Sequence, residues 1–159
     1  MSRASYGREI PPAECPAPGP VWFDPEAWAR GETMESIRVL VAEDAPVVRQ
    51  ALAALLSAEP GVELVGAAED AVEAIELARR ELPDVAIVDA RMPGGGGARA
   101  AREILLHSPT TVVVALSAHT DRESVFEMMD AGAVDYIIKG TPAKVILSAI
   151  ARCRPGIRI

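Results

Sequence analysis

The stretch Val85-Ala86-Ile87-Val88-Asp89-Ala90-Arg91-Met92-Pro93 decides how this chain folds. Its first four residues are apolar without alternation, which is the pattern of a strand buried on both faces of a parallel sheet. The run ends on the carboxylate of Asp89, at the edge where open α/β sheets bind their ligands. Pro93 and the glycines Gly94 to Gly97 follow and predict a loop. Asp89 is therefore a candidate functional residue, although this stretch alone is equally compatible with a helix-capping role.

Apolar runs and amphipathic segments alternate from Ile37 to the end of the chain. The short runs predict five strands, and helical spacing of apolar residues predicts a helix after each of them. Such alternation predicts a parallel sheet with helices on both faces and right-handed crossovers. The predicted strands are 37–42, 62–67, 85–89, 111–116 and 134–138.

The polarity of the runs predicts the order of the strands. The first, third and fourth runs are the most apolar and belong in the middle of the sheet. Glu63 in the second run and Asp135 in the fifth mark those two strands as edges. The order 2-1-3-4-5 satisfies this pattern. The choice of this order also relies on known flavodoxin-like folds, which have it. We therefore expect an α/β, flavodoxin-like, doubly wound (βα)5 fold with a five-stranded parallel sheet.

The helical segments also carry predicted boundaries and inward faces. Asp70 and Glu73 predict a capping box at the start of the second helix. Thr120 with Glu123 predicts another at the fourth helix, and Thr141-Pro142 predicts the start of the fifth. The predicted inward residues are Val72, Ile75, Ala78 and Leu82 in the second helix, and Val125, Phe126 and Met129 in the fourth.

Polar side chains follow the strands that the predicted order places together. In that order the loops after strands one and three separate and leave a crevice at the sheet edge. Glu43, Asp44 and Asp89 lie at this edge, the fourth strand adds the Ser117 hydroxyl, and the fifth adds Lys139. Five polar groups from distant parts of the chain are thus expected to face one point.

Three neighbouring carboxylates repel one another unless a cation lies between them. Mg²⁺ takes few protein carboxylates, keeps waters and shares its coordination sphere with phosphate oxygens. Lys139 and Ser117 are suited to phosphate oxygens, as a point charge and as a hydroxyl donor. The set fits phosphoryl chemistry with a carboxylate nucleophile. The simpler interpretation is that Lys139 only neutralises a pair of carboxylates.

From these residues the sequence resembles the receiver domain of bacterial two-component response regulators, over about residues 37–154. The resemblance rests on a combination of motifs rather than on any one of them. Further residues resemble the NarL/LuxR subfamily, although Gly140 stands where a proline is often found. The receiver motifs are Glu43-Asp44, Asp89 with Met92-Pro93, Ser117-Ala118 and Tyr136 three residues before Lys139. The subfamily motifs are Val62-Glu63-Leu64-Val65-Gly66, Asp89-Ala90-Arg91-Met92-Pro93-Gly94 and Lys139-Gly140.

The resemblance implies a role for each acidic residue. Asp89 would accept a phosphoryl group from the phosphohistidine of a sensor histidine kinase or a histidine phosphotransfer protein. Asp44, Asp89 and the backbone carbonyl of Arg91 would bind Mg²⁺, with Glu43 acting through water. No enzymatic activity is expected beyond self-phosphorylation from phosphodonors and slow autodephosphorylation.

It also implies a switch. Lys139 would pair with a phosphoryl oxygen, Ser117 would turn toward the phosphoryl group, and Tyr136 would move inward. Arg91 and His119 would flank the approach of water and modulate dephosphorylation, with Arg91 as a shield. The switch would control a partner surface on the fourth helix, fifth strand and fifth helix, including a phosphorylation-dependent homodimer.

Three rival functions are weighed against this one. An aspartyl-nucleophile phosphatase of the haloacid-dehalogenase type needs a second carboxylate two positions after the nucleophile, where this chain has Arg91. A flavodoxin-like cofactor binder needs a phosphate-binding loop after the first strand, where Glu43-Asp44 would repel phosphate. A receiver-like interaction module that works without phosphorylation would not need the intact acceptor set.

Composition excludes other classes. The net charge of −7 over 159 residues provides no basic surface for direct nucleic-acid binding. No apolar run approaches the ~20 residues of a membrane span, and the N-terminus lacks the apolar core of a signal peptide. Two cysteines, Cys15 and Cys153, are too few for a disulfide framework and fit a cytoplasmic protein.

Residues 1–36 differ from the rest, because six prolines exclude regular structure while both tryptophans lie among them. We expect a largely disordered extension, with a docking segment, or Met34 as the natural start, as alternatives. The receiver domain is expected over 37–154 and a tail over 155–159. NarL/LuxR regulators carry a helix-turn-helix module after the receiver. The expectation here is either a single-domain regulator or part of a longer chain.

Overall fold

The computed structural model describes residues 35–118 and 122–153, together with Glu26, Arg30 and Gly31. The expectations for most of the N-terminal extension, for His119 and Thr120, and for the tail 155–159 lie outside the described residues. Five strands alternate with five helices along the described chain. The strands are β1 (Ile37–Ala42), β2 (Val62–Ala68), β3 (Val85–Asp89), β4 (Val112–Ser117) and β5 (Asp135–Ile138), and the helices are α1 (Pro46–Ala58), α2 (Ala71–Glu81), α3 (Gly96–His107), α4 (Arg122–Asp130) and α5 (Ala143–Arg152).

The sheet is parallel throughout and has the order β2-β1-β3-β4-β5. This confirms the predicted flavodoxin-like topology. Central strand β3 is buried along its whole length, as its unbroken apolar run predicts. Asp89 pairs with Leu116 at the carboxyl end of β3, so the end of β4 lies beside the candidate acceptor.

Two apolar layers cover the sheet, because successive strand residues point to opposite faces. On one face Leu40 and Val88 pack with residues of α2, α3 and α4. On the other face Val39, Ile87 and Leu116 pack with residues of α1 and α5. The functional edge therefore lies on a sheet fixed from both sides.

Helix α2 begins as predicted, and the predicted inward residue Ala78 is buried, but the rest of its buried face differs from the prediction. Asp70 caps it, with its Oδ1 accepting from the backbone N–H of Glu73 at 2.8 Å. The carboxylate of Glu73 accepts from the Glu69 N–H, one residue before the cap. Val72 and Leu82 were predicted to be inward and are 59% and 56% exposed, so this prediction is wrong. The buried side chains are small, which lets the helix lie close to the sheet: Ala71, Ala74 and Ala78.

Helix α4 is also rotated relative to the prediction. Ser124 and Met128 face inward, one helical turn apart. Phe126 is 72% exposed and Met129 is 41% exposed, so the predicted inward face is wrong for these two residues. The helix therefore presents apolar side chains to solvent next to β5.

The starts of two further helices differ slightly from the prediction. Helix α3 begins at Gly96 and so takes in two of the glycines that predicted a loop. Helix α5 begins at Ala143 with Pro142 as its cap residue and no side-chain cap. The hydroxyl of Thr141 donates instead to the Ile138 carbonyl, which closes the turn after β5.

Strand β5 forms one edge of the sheet, and its outward backbone is partly covered. The Tyr136 N–H donates to Oδ1 of Asp135 at 2.8 Å. The other oxygen of Asp135 accepts from Arg152 of α5 at 2.8 Å. One short side chain thus satisfies an edge amide and ties the strand to the last helix.

Candidate functional site

The turn after β1 places two carboxylates at the carboxyl edge of the sheet. The Glu43 N–H donates to the Ala68 carbonyl at 3.0 Å, which continues the pairing with β2. The Glu43 side chain is buried, and its Oε1 accepts from the Ala45 N–H at 3.0 Å. Arg49, one turn into α1, donates to the Glu43 carbonyl at 2.9 Å. The turn is therefore held from the sheet and from the helix.

Asp89 lies at the end of β3 and is only 3% exposed. Its Oδ1 accepts from the Arg91 N–H at 3.1 Å, and its Oδ2 lies 3.0 Å from the ammonium nitrogen of Lys139. The same ammonium donates to Oε1 of Glu43 at 3.1 Å. Lys139 thus bridges the carboxylates of β1 and β3 across the sheet edge.

The acidic side chains are close enough to share a cation. Glu43, Asp44 and Asp89 each offer an oxygen atom within 4.8 Å of the others. Oε2 of Glu43 lies 2.9 Å from the Lys139 ammonium, but it has no aligned hydrogen bond among the described residues. One ammonium against three carboxyl groups leaves acceptor capacity unfilled. The donor set therefore fits a hard divalent cation with oxygen ligands.

The environment shifts the protonation of this cluster. Burial, together with the neighbouring Glu43, raises the pKa of Asp89 to about 7 despite the hydrogen bonds from Arg91 and Lys139. Burial works against the charged form of Asp44 too, but hydrogen bonds with Glu43 and Asp89 hold its pKa below the ordinary value. Although burial opposes it, pairing with Glu43 and Asp89 raises the pKa of Lys139. The cluster therefore favours the charged form of Lys139 and of Asp44 and disfavours the charged form of Asp89.

The glycines after Pro93 are required by the loop's shape. Gly94, Gly95 and Gly96 have φ angles of +87°, +106° and +87°, which side chains other than glycine rarely adopt. A Cβ atom on Gly97 would lie 2.1 Å from the carbonyl oxygen of Asp89. The helix α3 can therefore approach the end of β3 only because this position is glycine.

The loop is also bonded on both sides. The Gly97 N–H donates to the Ala90 carbonyl at 3.1 Å, and the Ala71 N–H of α2 donates to the Pro93 carbonyl at 3.0 Å. Arg99 donates to the Gly94 carbonyl at 2.7 Å. These bonds fix the backbone that follows the candidate acceptor.

The remaining candidates occupy different positions. Ser117 is buried at the end of β4, and its carbonyl accepts from the Lys139 N–H at 2.7 Å. Tyr136 pairs with Ala115 in the sheet register and is half exposed at the edge. His119 lies outside the described residues. The structure thus brings Glu43, Asp44, Asp89 and Lys139 together and places Ser117 on the adjoining strand end.

Two residues in the site were missed by the sequence reasoning. Arg49 could have been predicted, because it lies one turn into the helix that follows Glu43-Asp44. Ser124 could not have been predicted, yet its hydroxyl accepts from Nε of Arg91 at 3.2 Å. Its contact depends on how α4 is rotated.

Comparisons with known proteins agree with this geometry. The sequence profile of the family described as "Response regulator receiver domain" matches residues 39–151. The "Probable transcriptional regulatory protein NarL" of Mycobacterium tuberculosis is 35% identical over 122 residues, covering 77% of this chain and 56% of that protein. The solved signal receiver domain of NarL from the same organism matches with a TM-score of 0.72 at 35% identity, covering 77% of this chain and 99% of that one.

A second solved structure bears on the acidic cluster. The receiver domain of the sensor histidine kinase PA1611 from Pseudomonas aeruginosa, with a magnesium ion coordinated in its active-site cleft, matches with a TM-score of 0.64. It is 27% identical, and the match covers 74% of this chain and 95% of that one.

The chain spans about half the length of the curated relatives it matches, for example 56% of NarL. Within residues 35–118 and 122–153, no helix has the length and apolar character needed to span a membrane.

Proposed function

This chain belongs to the response regulator receiver domain family, and from that premise we propose that Asp89 accepts a phosphoryl group. The donor is the phosphohistidine of a sensor histidine kinase or of a histidine phosphotransfer protein. A carboxylate oxygen of Asp89 forms the new bond to phosphorus, and the histidine nitrogen leaves with the electrons of the broken bond. The observation that carries the proposal is the buried Asp89 carboxylate beside the Lys139 ammonium, 3.0 Å away.

Asp44, Asp89 and the Arg91 carbonyl would hold Mg²⁺, with Glu43 acting through water. Two observations support this assignment: Oε2 of Glu43 lacks an aligned hydrogen bond among the described residues, and the three carboxylates lie close together. When bound, the ion supplies positive charge to the phosphoryl oxygens and orients them.

The protein's own residues provide the remaining charge and direction. Lys139 would pair with a phosphoryl oxygen, which would replace its present contact with Asp89. Ser117, at the adjoining strand end, would donate its hydroxyl to another oxygen. Tyr136 would then turn inward from its half-exposed position on β5. The protein acts as a phosphoacceptor in this scheme, and a cytoplasmic location accords with a kinase partner.

Intact-mass measurement after incubation with acetyl phosphate and Mg²⁺ tests the proposal. The expected result is a gain of one phosphoryl group that is lost in Asp89→Asn and in EDTA. Asp70→Asn is the matched control, because Asp70 is at the same sheet edge and asparagine also caps helices. A gain that persists in Asp89→Asn would assign the phosphate to another residue.

The output surface we propose is the region of α4, β5 and α5, with a homodimer that forms on phosphorylation. Exposed apolar side chains support it, in a groove of about 490 Å³ lined by Arg122, Val125, Phe126, Met129 and Tyr136. Sedimentation with beryllofluoride, a phosphoryl mimic, should show a dimer that Phe126→Ala weakens. Leu106→Ala on α3 is the control, since both residues are 72% exposed. Equal dimerisation in the two variants would exclude this surface.

A further inference from the structure

Arg91 joins the acceptor loop to helix α4. Its backbone N–H donates to the acceptor carboxylate of Asp89 at 3.1 Å. Its side chain leaves the loop in the other direction, and Nε donates to the hydroxyl of Ser124 at 3.2 Å. Ser124 is 33 residues further along the chain, on the inward face of α4. One residue therefore contacts both the phosphoacceptor and the helix that presents the apolar groove.

The hydrogen bond between Arg91 and Ser124 lies at the start of α4, where it can fix the position of the first turn. Ser124 is in the first turn of α4, and it is buried although the two residues before it are exposed. A hydrogen bond from a guanidinium is charge-assisted and stronger than a neutral one. At the other end of α4, Asp130 pairs with Arg102 of α3 at 3.4 Å, far from the acceptor. The two ends of the helix are thus linked to different elements.

We propose that Arg91 is a positioning residue that holds the first turn of α4 to the acceptor loop through Ser124. A change in the contacts of Asp89 then reaches α4 through this side chain as well as through the β4 strand end. This inference rests on the proposed function in one respect only: phosphorylation is the event that changes the contacts of Asp89. The link itself is present in the unphosphorylated protein and can be measured there.

The first experiment measures the link in the unphosphorylated 159-residue chain. Amide hydrogen exchange of residues 126–130 is compared in Arg91→Ala, Ser124→Ala and the double variant. Each single change should speed exchange about fivefold, and the double variant should be no faster than the faster single one. Effects that multiply in the double variant, or no effect in either single one, would overturn the proposal.

Two controls separate this link from general loosening of α4. Arg102→Ala removes the bond at the far end, so its effect should multiply with that of Ser124→Ala. Ser148→Ala removes a hydroxyl that donates to the Lys144 carbonyl within α5, and it should leave exchange in α4 unchanged. Ser124→Thr keeps a hydroxyl and should restore most of the protection.

The second experiment adds beryllofluoride and Mg²⁺. Ser124→Ala should retain the mass gain with acetyl phosphate but show about half the wild-type exchange response in residues 126–130. A full response in Ser124→Ala would show that the link does not transmit the change and would overturn that part of the proposal. Failure of the wild type to gain mass would instead refute the phosphoacceptor function. The link between Arg91 and Ser124 would then be tested by the double-variant comparison alone.

Discussion

Asp89 keeps its carboxyl group in a buried position, and this has a measurable cost to stability. Its pKa in the folded protein is about 7, above the ordinary value of 3.8, because burial disfavours the charged form. A raised pKa means that the stabilising contribution is present at low pH and is lost as the pH rises through about 7. Asp44 has a lowered pKa, so its contribution is lost only in more acidic solution. The interval from pH 5 to 8 therefore reports mainly on Asp89.

Asp89→Asn should raise the free energy of unfolding at pH 8 by about 1–3 kcal/mol. Asparagine keeps the shape of the side chain without the buried charge. The gain should shrink toward pH 5, where the wild-type carboxyl group is protonated in the folded state. Urea unfolding in EDTA at both pH values measures the difference. An equal gain at both values would mean that burial of charge is not the cause.

Arg91 and Ser124 should affect the lifetime of the aspartyl phosphate in opposite directions. Arg91→Ala removes the side chain that we propose shields the phosphoryl group from water, and dephosphorylation should be about tenfold faster. Ser124→Ala removes the hydroxyl that accepts from Nε, so the guanidinium should lie over the phosphoryl group for more of the time and dephosphorylation should be slower. Phosphate release from purified phosphoprotein in excess Mg²⁺ gives both rates. Slower release in Arg91→Ala would rule out the shield.

At the scale of elements, the junction of β3 and α3 depends on one glycine. In Gly97→Ala the new methyl group would meet the Asp89 carbonyl oxygen, so strand and helix must separate. The expected loss of stability is about 2–3 kcal/mol. Gly140→Ala is the control, because its position has a φ of +89° but no atom within 4 Å. It should lose only about 1–2 kcal/mol. Urea unfolding of the two variants measures both losses of stability. Equal losses would refute the close approach of α3 to the end of β3.

Strand order was predictable for a physical reason, and helix rotation was not. Burial on both faces makes a central strand apolar throughout, so β3 and the edge strands could be distinguished by Glu63 and Asp135. The buried face of a helix is harder to predict when a small residue is buried and a larger apolar neighbour is exposed. Ala74 is buried in α2 while its neighbour Val72 is exposed. In α4 Phe126 is exposed, in the groove that we propose as a partner surface; because interaction surfaces also contain apolar residues, an apolar pattern alone does not identify the buried face.

The acidic site was predictable to the same extent as the sheet. Once the carboxyl ends of β1 and β3 are neighbours, Glu43 and Asp89 must lie close together, and a long side chain from β5 can reach them. This is why Lys139 could be placed from the sequence. The bond between Arg91 and Ser124 could not be, since it depends on the rotation of α4 and on the path of a loop.

At the scale of the whole molecule, the described residues that form the two apolar layers all lie between Ile37 and Cys153. A chain that begins at Met34 should therefore keep the unfolding midpoint of the full chain and its phosphorylation at Asp89. Circular dichroism during urea unfolding tests the first expectation, and intact mass tests the second. Both tryptophans are absent from the shorter chain, so their fluorescence in the full chain reports on the extension alone. A lower midpoint in the shorter chain would show that residues 1–33 stabilise the domain.

The side chain of Asp135 has a further consequence for how copies of this protein meet. An open sheet edge offers unpaired amides on which a strand of another molecule can be added, the first step toward intermolecular β-aggregation. Here the Tyr136 amide is already bonded, and the charged pair of Asp135 and Arg152 lies beside it. Strand addition at β5 is thereby disfavoured. Partners at this end of the molecule must recognise side chains, so a surface rich in apolar groups can be exposed without templating fibres.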